Sequence, residues 1–144
     1  SGVTAAIDYL ASLGGQDGPR RERIVHGMKA IKQYEATLSE RFLRAATRVP
    51  GIRVYGITDP EELERRTPTF AISLAGFSPE YVATYLGDRG FFVWHGHYYA
   101  VEVMARLGLL ESGGLVRIGF THYNTYEELD RLIDVLIELA ATAQ

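Results

Sequence analysis

Residues 115–140 read LVRIGFTHYNTYEELDRLIDVLIELA, and this stretch decides the fold class of the chain. Its first part alternates in polarity, with Val116, Ile118 and Phe120 on one face, which predicts a strand over 115–120. Thr125 and Glu128 have the spacing of a capping box, so a helix is predicted to begin there. The core stripe of that helix is Leu129, Leu132, Ile133, Leu136 and Ala140. A half-buried strand beside an amphipathic helix indicates a sheet that helices cover.

The rest of the chain continues this mixture of short strands and helices. The patterns predict strands over 52–55, 69–75 and 91–94, helices over 3–13 and 98–107, and a helical turn over 60–66. Ser78 and Pro79 favour another helix start. The expected fold is α+β: a long N-terminal helix followed by a two-layer domain. Its sheet is expected to be mostly antiparallel, covered by helices on one side and partly open on the other.

A long helix is predicted between Pro19 and Pro50. Its apolar stripe is Ile24, Met28, Ile31, Leu38, Phe42, Ala45 and Val49, interrupted once at Glu35. Roughly 30 residues at 1.5 Å each give about 45 Å, which exceeds the core of a small domain. We therefore favour a helical segment over 1–50 that bridges to another domain, and an α+β domain over 51–144. The alternative is an amphipathic helix that only covers the sheet.

Composition bounds the class of protein. The formal net charge is −3, so the chain lacks the basic face that nucleic-acid binding favours, and no nucleic-acid partner is expected. It contains no cysteine, which removes disulfides, thiolate metal sites and thiol nucleophiles together. No apolar run approaches the ~18 residues of a membrane span. We expect a cytoplasmic protein without a membrane partner.

The densest set of reactive side chains is in residues 94–100, here called the aromatic loop. The set comprises Trp94, His95, His97, Tyr98 and Tyr99. His95 and His97 would point the same way in an extended strand, and with His122 they could form a three-histidine metal site. The alternative is that the rings form hydrogen bonds at a polar surface. Such a loop is also a plausible cleft wall.

Arg117 is the second candidate, because it lies in the middle of a predicted strand. A guanidinium among apolar neighbours needs an anionic partner. That partner is either a structural carboxylate or the carboxylate of a substrate, which the planar fork binds with two hydrogen bonds. In the second case, the face of Leu115, Arg117 and Gly119 would line a cleft, with His97 and Tyr99 across from it.

The chain has two lysines, Lys29 and Lys32. Both fall in solvent-facing register on the long helix, so neither has the setting of a Schiff-base lysine. We also find no glycine-rich phosphate loop, no GxSxG elbow and no paired carboxylates in a cleft-like context. The residues alone predict an α+β domain with too few parts for autonomous catalysis.

Several short motifs occur in a fixed order along the chain. AIDYL at 6–10 precedes the long helix, PGIRVYG at 50–56 follows it, a strand runs into the aromatic loop, and YNT at 123–125 precedes EELD at 127–130. In order and spacing they resemble the C-terminal small domain of pyridoxal-phosphate (PLP) enzymes of fold type I. The resemblance is to the class V aminotransferase and cysteine desulfurase family and covers nearly the whole chain.

The resemblance implies roles for particular residues. Arg117 matches the family arginine that grips the α-carboxylate of the substrate, and His97 belongs to the Gly-His of the active-site loop. The catalytic cysteine of the desulfurases falls at Tyr99, the histidine before it at Tyr98, and the loop arginine at Trp94. A phenol with a pKa near 10 cannot replace the thiolate that takes up sulfur. The resemblance is thus to a desulfurase-like branch without the catalytic cysteine.

The resemblance also implies what surrounds the chain. A parent protein would bind PLP through a Schiff-base lysine in a large domain N-terminal to residue 1, act on an amino acid as a transferase or lyase, and form a homodimer. The chain starts without methionine, and we expect a fragment or a processed chain, inactive by itself. The alternative is a free-standing α+β ligand-binding or regulatory module.

Overall fold

Helices and short strands alternate along most of the chain in a computed structural model, which describes residues 1–143. The helices are α1 (Gly2–Ser12), α2 (Arg20–Ala46), α3 (Pro79–Gly87), α4 (Val101–Arg106) and α5 (Tyr126–Ala140). The strands are β1 (Ile52–Tyr55), β2 (Thr69–Leu74), β3 (Trp94–Gly96) and β4 (Leu115–Gly119). A 3-10 helix, Pro60–Arg65, lies between β1 and β2.

The four strands form one sheet in the order β1-β2-β4-β3, and every neighbouring pair is antiparallel. Cα partners across the sheet carry side chains on the same face. Phe70 pairs with Ile118 on the covered face, whereas Ala71 pairs with Arg117 on the open face. The sheet and its helices confirm the predicted α+β class.

The hydrophobic core lies between the covered face of the sheet and helices α2, α3 and α5. Its fully buried members include Leu38, Phe42, Phe70, Ile72, Leu86, Leu129, Ile133 and Leu136. The rings of Phe42 and Phe70 have centroids 4.1 Å apart, and Phe120 packs against both. Burying this apolar surface is the main driving force for folding. The opposite face of the sheet carries the exposed side chains of Trp94 and Arg117.

Helix α2 has two different halves. Its C-terminal half packs in the core through Leu38 and Phe42, as an amphipathic helix covering a sheet would. Its N-terminal half packs against α1, and Met28 there is 48% exposed. Gly27 permits the close helix contact, because a Cβ at this position would overlap the carbonyl oxygen of Leu10. The predicted stripe therefore covers the sheet of its own domain only from Leu38 onward.

Two predicted elements differ from the structure. The strand predicted over 91–94 is β3 at Trp94–Gly96, because the residues that pair with β4 are those three. The helix predicted over 98–107 is α4 at Val101–Arg106. Tyr98 and Tyr99 have φ of 52° and 60°, a left-handed backbone that an α-helix cannot contain.

The helix starts predicted at Ser78 and Thr125 are confirmed. Thr125 Oγ1 accepts from the Glu128 N–H at 3.2 Å, and the Glu128 carboxylate accepts from the Thr125 N–H at 2.9 Å, which completes the capping box. Ser78 caps α3 with a single side-chain bond, in which its Oγ accepts from Tyr81 N–H. Among the helices of residues 1–143, none is long and apolar enough to cross a membrane.

Candidate functional site

Arg117 lies on the open face of the sheet, in a row of cross-strand partners. Tyr55 pairs with Ala71, Ala71 with Arg117, and Arg117 with Trp94. The Arg117 side chain is exposed. It takes part in none of the ion pairs found within residues 1–143. The structure therefore gives no support to the interpretation of Arg117 as half of a structural salt bridge.

The ring of Tyr98 lies beside this guanidinium. The guanidinium carbon of Arg117 lies 5.4 Å from the centroid of the Tyr98 ring, within the range of a cation–π contact. The Tyr98 hydroxyl donates a hydrogen bond to the carbonyl oxygen of Leu115 in β4. Burial raises the pKa of the Tyr98 phenol well above its ordinary value, although the nearby Arg117 charge opposes this rise. Tyr98 is thus a protonated hydrogen-bond donor at neutral pH.

Tyr99 follows Tyr98 in the same left-handed conformation but points away. Its side chain is 96% exposed. Its N–H donates to Nδ1 of His97 at 3.1 Å, and the Ala100 N–H donates to the His97 carbonyl at 2.7 Å. We expected His97 and Tyr99 across from Arg117, but the structure brings Tyr98 against it instead. Leu115, also expected on the cleft face, is only 2% exposed.

Trp94 is the direct cross-strand neighbour of Arg117 on the open face. Its side chain is 60% exposed. A large exposed indole beside an exposed guanidinium offers an apolar wall next to a cationic centre. Trp94, Tyr98 and Arg117 together could hold a small ligand that has a carboxylate and an apolar part.

The three-histidine metal site does not form. His122 lies on the loop after β4, where its Nε2 is 2.8 Å from the hydroxyl of Tyr9 in α1. Within residues 1–143, no three histidine, cysteine, aspartate or glutamate side chains come together in a way that could hold a metal ion. His122 instead connects the N-terminal helices to the end of β4.

Gly114 lies directly before β4 and contacts the end of β3. Its φ is +86°, and a Cβ there would overlap the carbonyl group of Gly96 at the end of β3. The two backbones therefore set the spacing between the aromatic loop and β4. The double glycine at 113–114 was the only sequence signal for this contact.

The two lysines belong to a different surface of the domain. Lys29 and Lys32 are exposed on α2, where they line a groove of about 440 Å³ between α2 and the 3-10 helix. No aromatic-loop residue lines that groove. Arg66, at its edge, donates to the carbonyls of Ile57, Thr67 and Thr69 and is thereby fixed as a structural residue.

Comparison with known families identifies this arrangement of elements. The family model for aminotransferase class-V matches residues 20–132, which is most of the chain. The chain belongs to the aminotransferase class-V family. The sheet, the aromatic loop and Arg117 all lie in the segment that the family model matches.

Relatives within the class-V family include cysteine desulfurases. The chain is 33% identical over 140 residues to a probable cysteine desulfurase of Methanothermobacter thermautotrophicus, covering 96% of this chain and 30% of that protein. It is 31% identical to an aminotransferase-like protein of Gibberella zeae, covering 93% of this chain and 32% of that protein. The chain thus spans about a third of the length of these relatives.

The solved structures agree with this assignment. The apo cysteine desulfurase from Thermococcus onnurineus NA1 superposes with a TM-score of 0.73 at 29% identity, covering 85% of this chain and 29% of that one. The class-V family implies PLP. The two lysines of the chain, Lys29 and Lys32, lie on the exposed surface of α2, in a groove that no aromatic-loop residue lines.

Proposed function

We propose that this chain is the domain of a PLP-dependent enzyme that recognises the carboxylate of an amino-acid substrate through Arg117. The proposal rests on the exposure of Arg117 and on its lack of an ion-pair partner in the described part of the chain. It is exposed on the open face of the sheet, beside the aromatic loop, and forms no ion pair within residues 1–143. A guanidinium so placed is ready to bind a carboxylate with two charge-assisted hydrogen bonds.

The proposed reaction is that of a transferase or lyase. It differs from that of a desulfurase, which holds sulfur on a cysteine of the active-site loop. The position of that cysteine in the resemblance is Tyr99, whose exposed phenol is a poor nucleophile near neutral pH. PLP, when bound, supplies an electron sink for bonds at the α-carbon of an amino acid. This chain would contribute substrate binding, orientation and one wall of the cleft.

The proposed partner is a large PLP-binding domain of the same protein, within a cytoplasmic homodimer. Helix α1 and the N-terminal half of α2 support this proposal, because they carry exposed apolar side chains that lie outside the hydrophobic core. Val3, Val25 and Met28 are 72%, 36% and 48% exposed there. We propose that these side chains face the large domain, since exposed apolar surface is where protein partners bind.

A binding titration on the complete PLP-bound enzyme tests the role of Arg117. Standard L-amino acids would be added one at a time while the absorbance spectrum of the bound PLP reports binding. The best ligand would then be compared with its carboxamide, which lacks the anionic group. The wild type should prefer the acid, and Arg117→Ala should bind acid and amide equally. Arg117→Lys should be nearly as damaging, since an ammonium cannot reproduce the planar fork.

The expected effect is large. Removing one partner of a desolvated charge pair costs about 2–5 kcal/mol, or a factor of tens to thousands in affinity or catalytic efficiency. Arg53→Ala is the matched control, because Arg53 is an exposed arginine on β1. It should leave the preference for the acid unchanged. An Arg117→Ala enzyme with unaltered preference would contradict the proposal.

A further inference from the structure

Tyr98 connects the aromatic loop to β4 at two neighbouring points. Its hydroxyl donates to the Leu115 carbonyl, and its ring lies against the guanidinium of Arg117, two residues further along the same strand. We propose that Tyr98 is a positioning residue, which holds the Arg117 side chain in its ligand-binding orientation before the ligand arrives. This inference rests on the proposed function of Arg117.

The backbone of the loop supports this assignment. Tyr98 and Tyr99 both have positive φ, a conformation that residues with a Cβ rarely adopt and that persists only where the surroundings enforce it. The hydrogen bonds from Tyr99 N–H and Ala100 N–H to His97 hold the turn. Tyr99 is 96% exposed, so the turn does not serve to bury both rings. Its result is to place the Tyr98 ring against β4.

The protonation state of Tyr98 favours a positioning role for this residue over a role as a general acid or base. Its hydroxyl proton is already directed at a backbone carbonyl of the sheet. Burial raises the pKa of the phenol, which further favours the protonated form. A group whose proton is held in this way supports its neighbour and does not exchange protons with a ligand at neutral pH.

The physical benefit is pre-organisation. A free arginine side chain loses rotamer freedom when it grips a ligand, and this loss weakens binding. A ring that already restricts the guanidinium removes part of that loss, and the cation–π contact does not occupy the edge of the fork that binds carboxylates. Loss of the ring should weaken carboxylate binding by about two- to tenfold, the range expected for one immobilised side chain.

The direct test is the mobility of the Arg117 side chain in the 144-residue chain, measured by NMR. The wild type should show a restricted Arg117 Nε–H, with a ring-current shift on the side-chain protons. Tyr98→Leu should remove both, while the amide spectrum of β4 shows that the strand stays paired. Tyr98→Phe keeps the ring and should keep the ring-current shift. Tyr99→Leu is the matched control, since Tyr99 shares the backbone conformation, and it should change neither.

The outcomes decide the proposal. An Arg117 side chain as mobile as that of exposed Arg106 in the wild type would overturn it, as would an equal loss of order in Tyr98→Leu and Tyr99→Leu. In the complete enzyme, Tyr98→Leu should weaken binding of the amino acid about two- to tenfold and leave binding of its carboxamide unchanged. Absence of any acid preference in the wild type would refute the role of Arg117, whereas an equal loss for acid and amide would refute positioning.

Discussion

Gly114 packs so closely against the carbonyl group of Gly96 that no side chain fits between the two backbones. Gly96 ends β3 and pairs with Leu115, the residue next to Gly114. The aromatic loop leaves the sheet at this contact. The geometry of the loop around Arg117 therefore depends on a glycine that carries no reactive group.

Gly114→Ala should destabilise the protein more than Gly113→Ala. Both glycines have positive φ, +86° and +84°, so each alanine incurs a conformational penalty of about 1–2 kcal/mol. A Cβ at Gly113 has room, with its nearest neighbour 3.9 Å away, whereas one at Gly114 overlaps Gly96. Gly114→Ala should cost about 1–3 kcal/mol more, as overpacking does. Urea unfolding of both variants measures the difference, and equal midpoints would show that the backbones separate freely.

Gly27→Ala should loosen α1 from α2. Alanine favours a helix over glycine by about 1 kcal/mol, but a Cβ here would overlap the carbonyl of Leu10. Gly87→Ala, at the end of α3 in open space, is the control and should be neutral or slightly stabilising. Amide hydrogen exchange should become faster across α1 in Gly27→Ala alone. Unchanged protection of α1 would contradict the close helix contact.

The phenol of Tyr98 should make stability fall at alkaline pH. Burial raises its pKa above the ordinary value of 10.0, so the folded state binds this proton more tightly than the unfolded state does. The stabilisation is fully present below about pH 10 and is lost as the pH rises above that value. The unfolding free energy of the wild type should therefore decline more steeply than that of Tyr98→Phe as the pH rises above about 10. If the stability curves of the two proteins run parallel, the phenol of Tyr98 is exposed to water and the prediction is wrong.

The ion pair of Arg41 and Asp130 should make the unfolding free energy depend on pH in the acid range. Arg41 donates two hydrogen bonds to this carboxylate, at 2.8 and 2.5 Å, and thereby lowers the pKa of Asp130 below its ordinary value of 3.8. The contribution is present above that value and is lost as the pH falls through the lowered pKa. Asp130→Asn and Arg41→Gln should flatten the acid limb of the stability curve equally. A difference between the two variants would indicate that the groups act separately.

The sequence predicted the covered face of the sheet better than the open face. Phe70, Ile72 and Leu74 alternate, and the structure buries all three. The capping box of α5 could be predicted because its two residues are close in sequence. The limits of β3 and α4 were not, because the sequence does not signal the left-handed turn at Tyr98 and Tyr99 that separates them. Neither tyrosine is a residue type that signals positive φ.

The sequence by itself determined the α+β class, the starts of α3 and α5 and the identity of Arg117 as an unusual residue. These features follow from apolar periodicity and from interactions over three or four residues, which are local. Only the tertiary structure decided that Tyr98, and not His97 or Tyr99, lies against Arg117. It also decided that Gly114 sets the loop against β4, and that His122 binds Tyr9. These pairings depend on strand register and backbone approach, which bring together residues up to 113 positions apart.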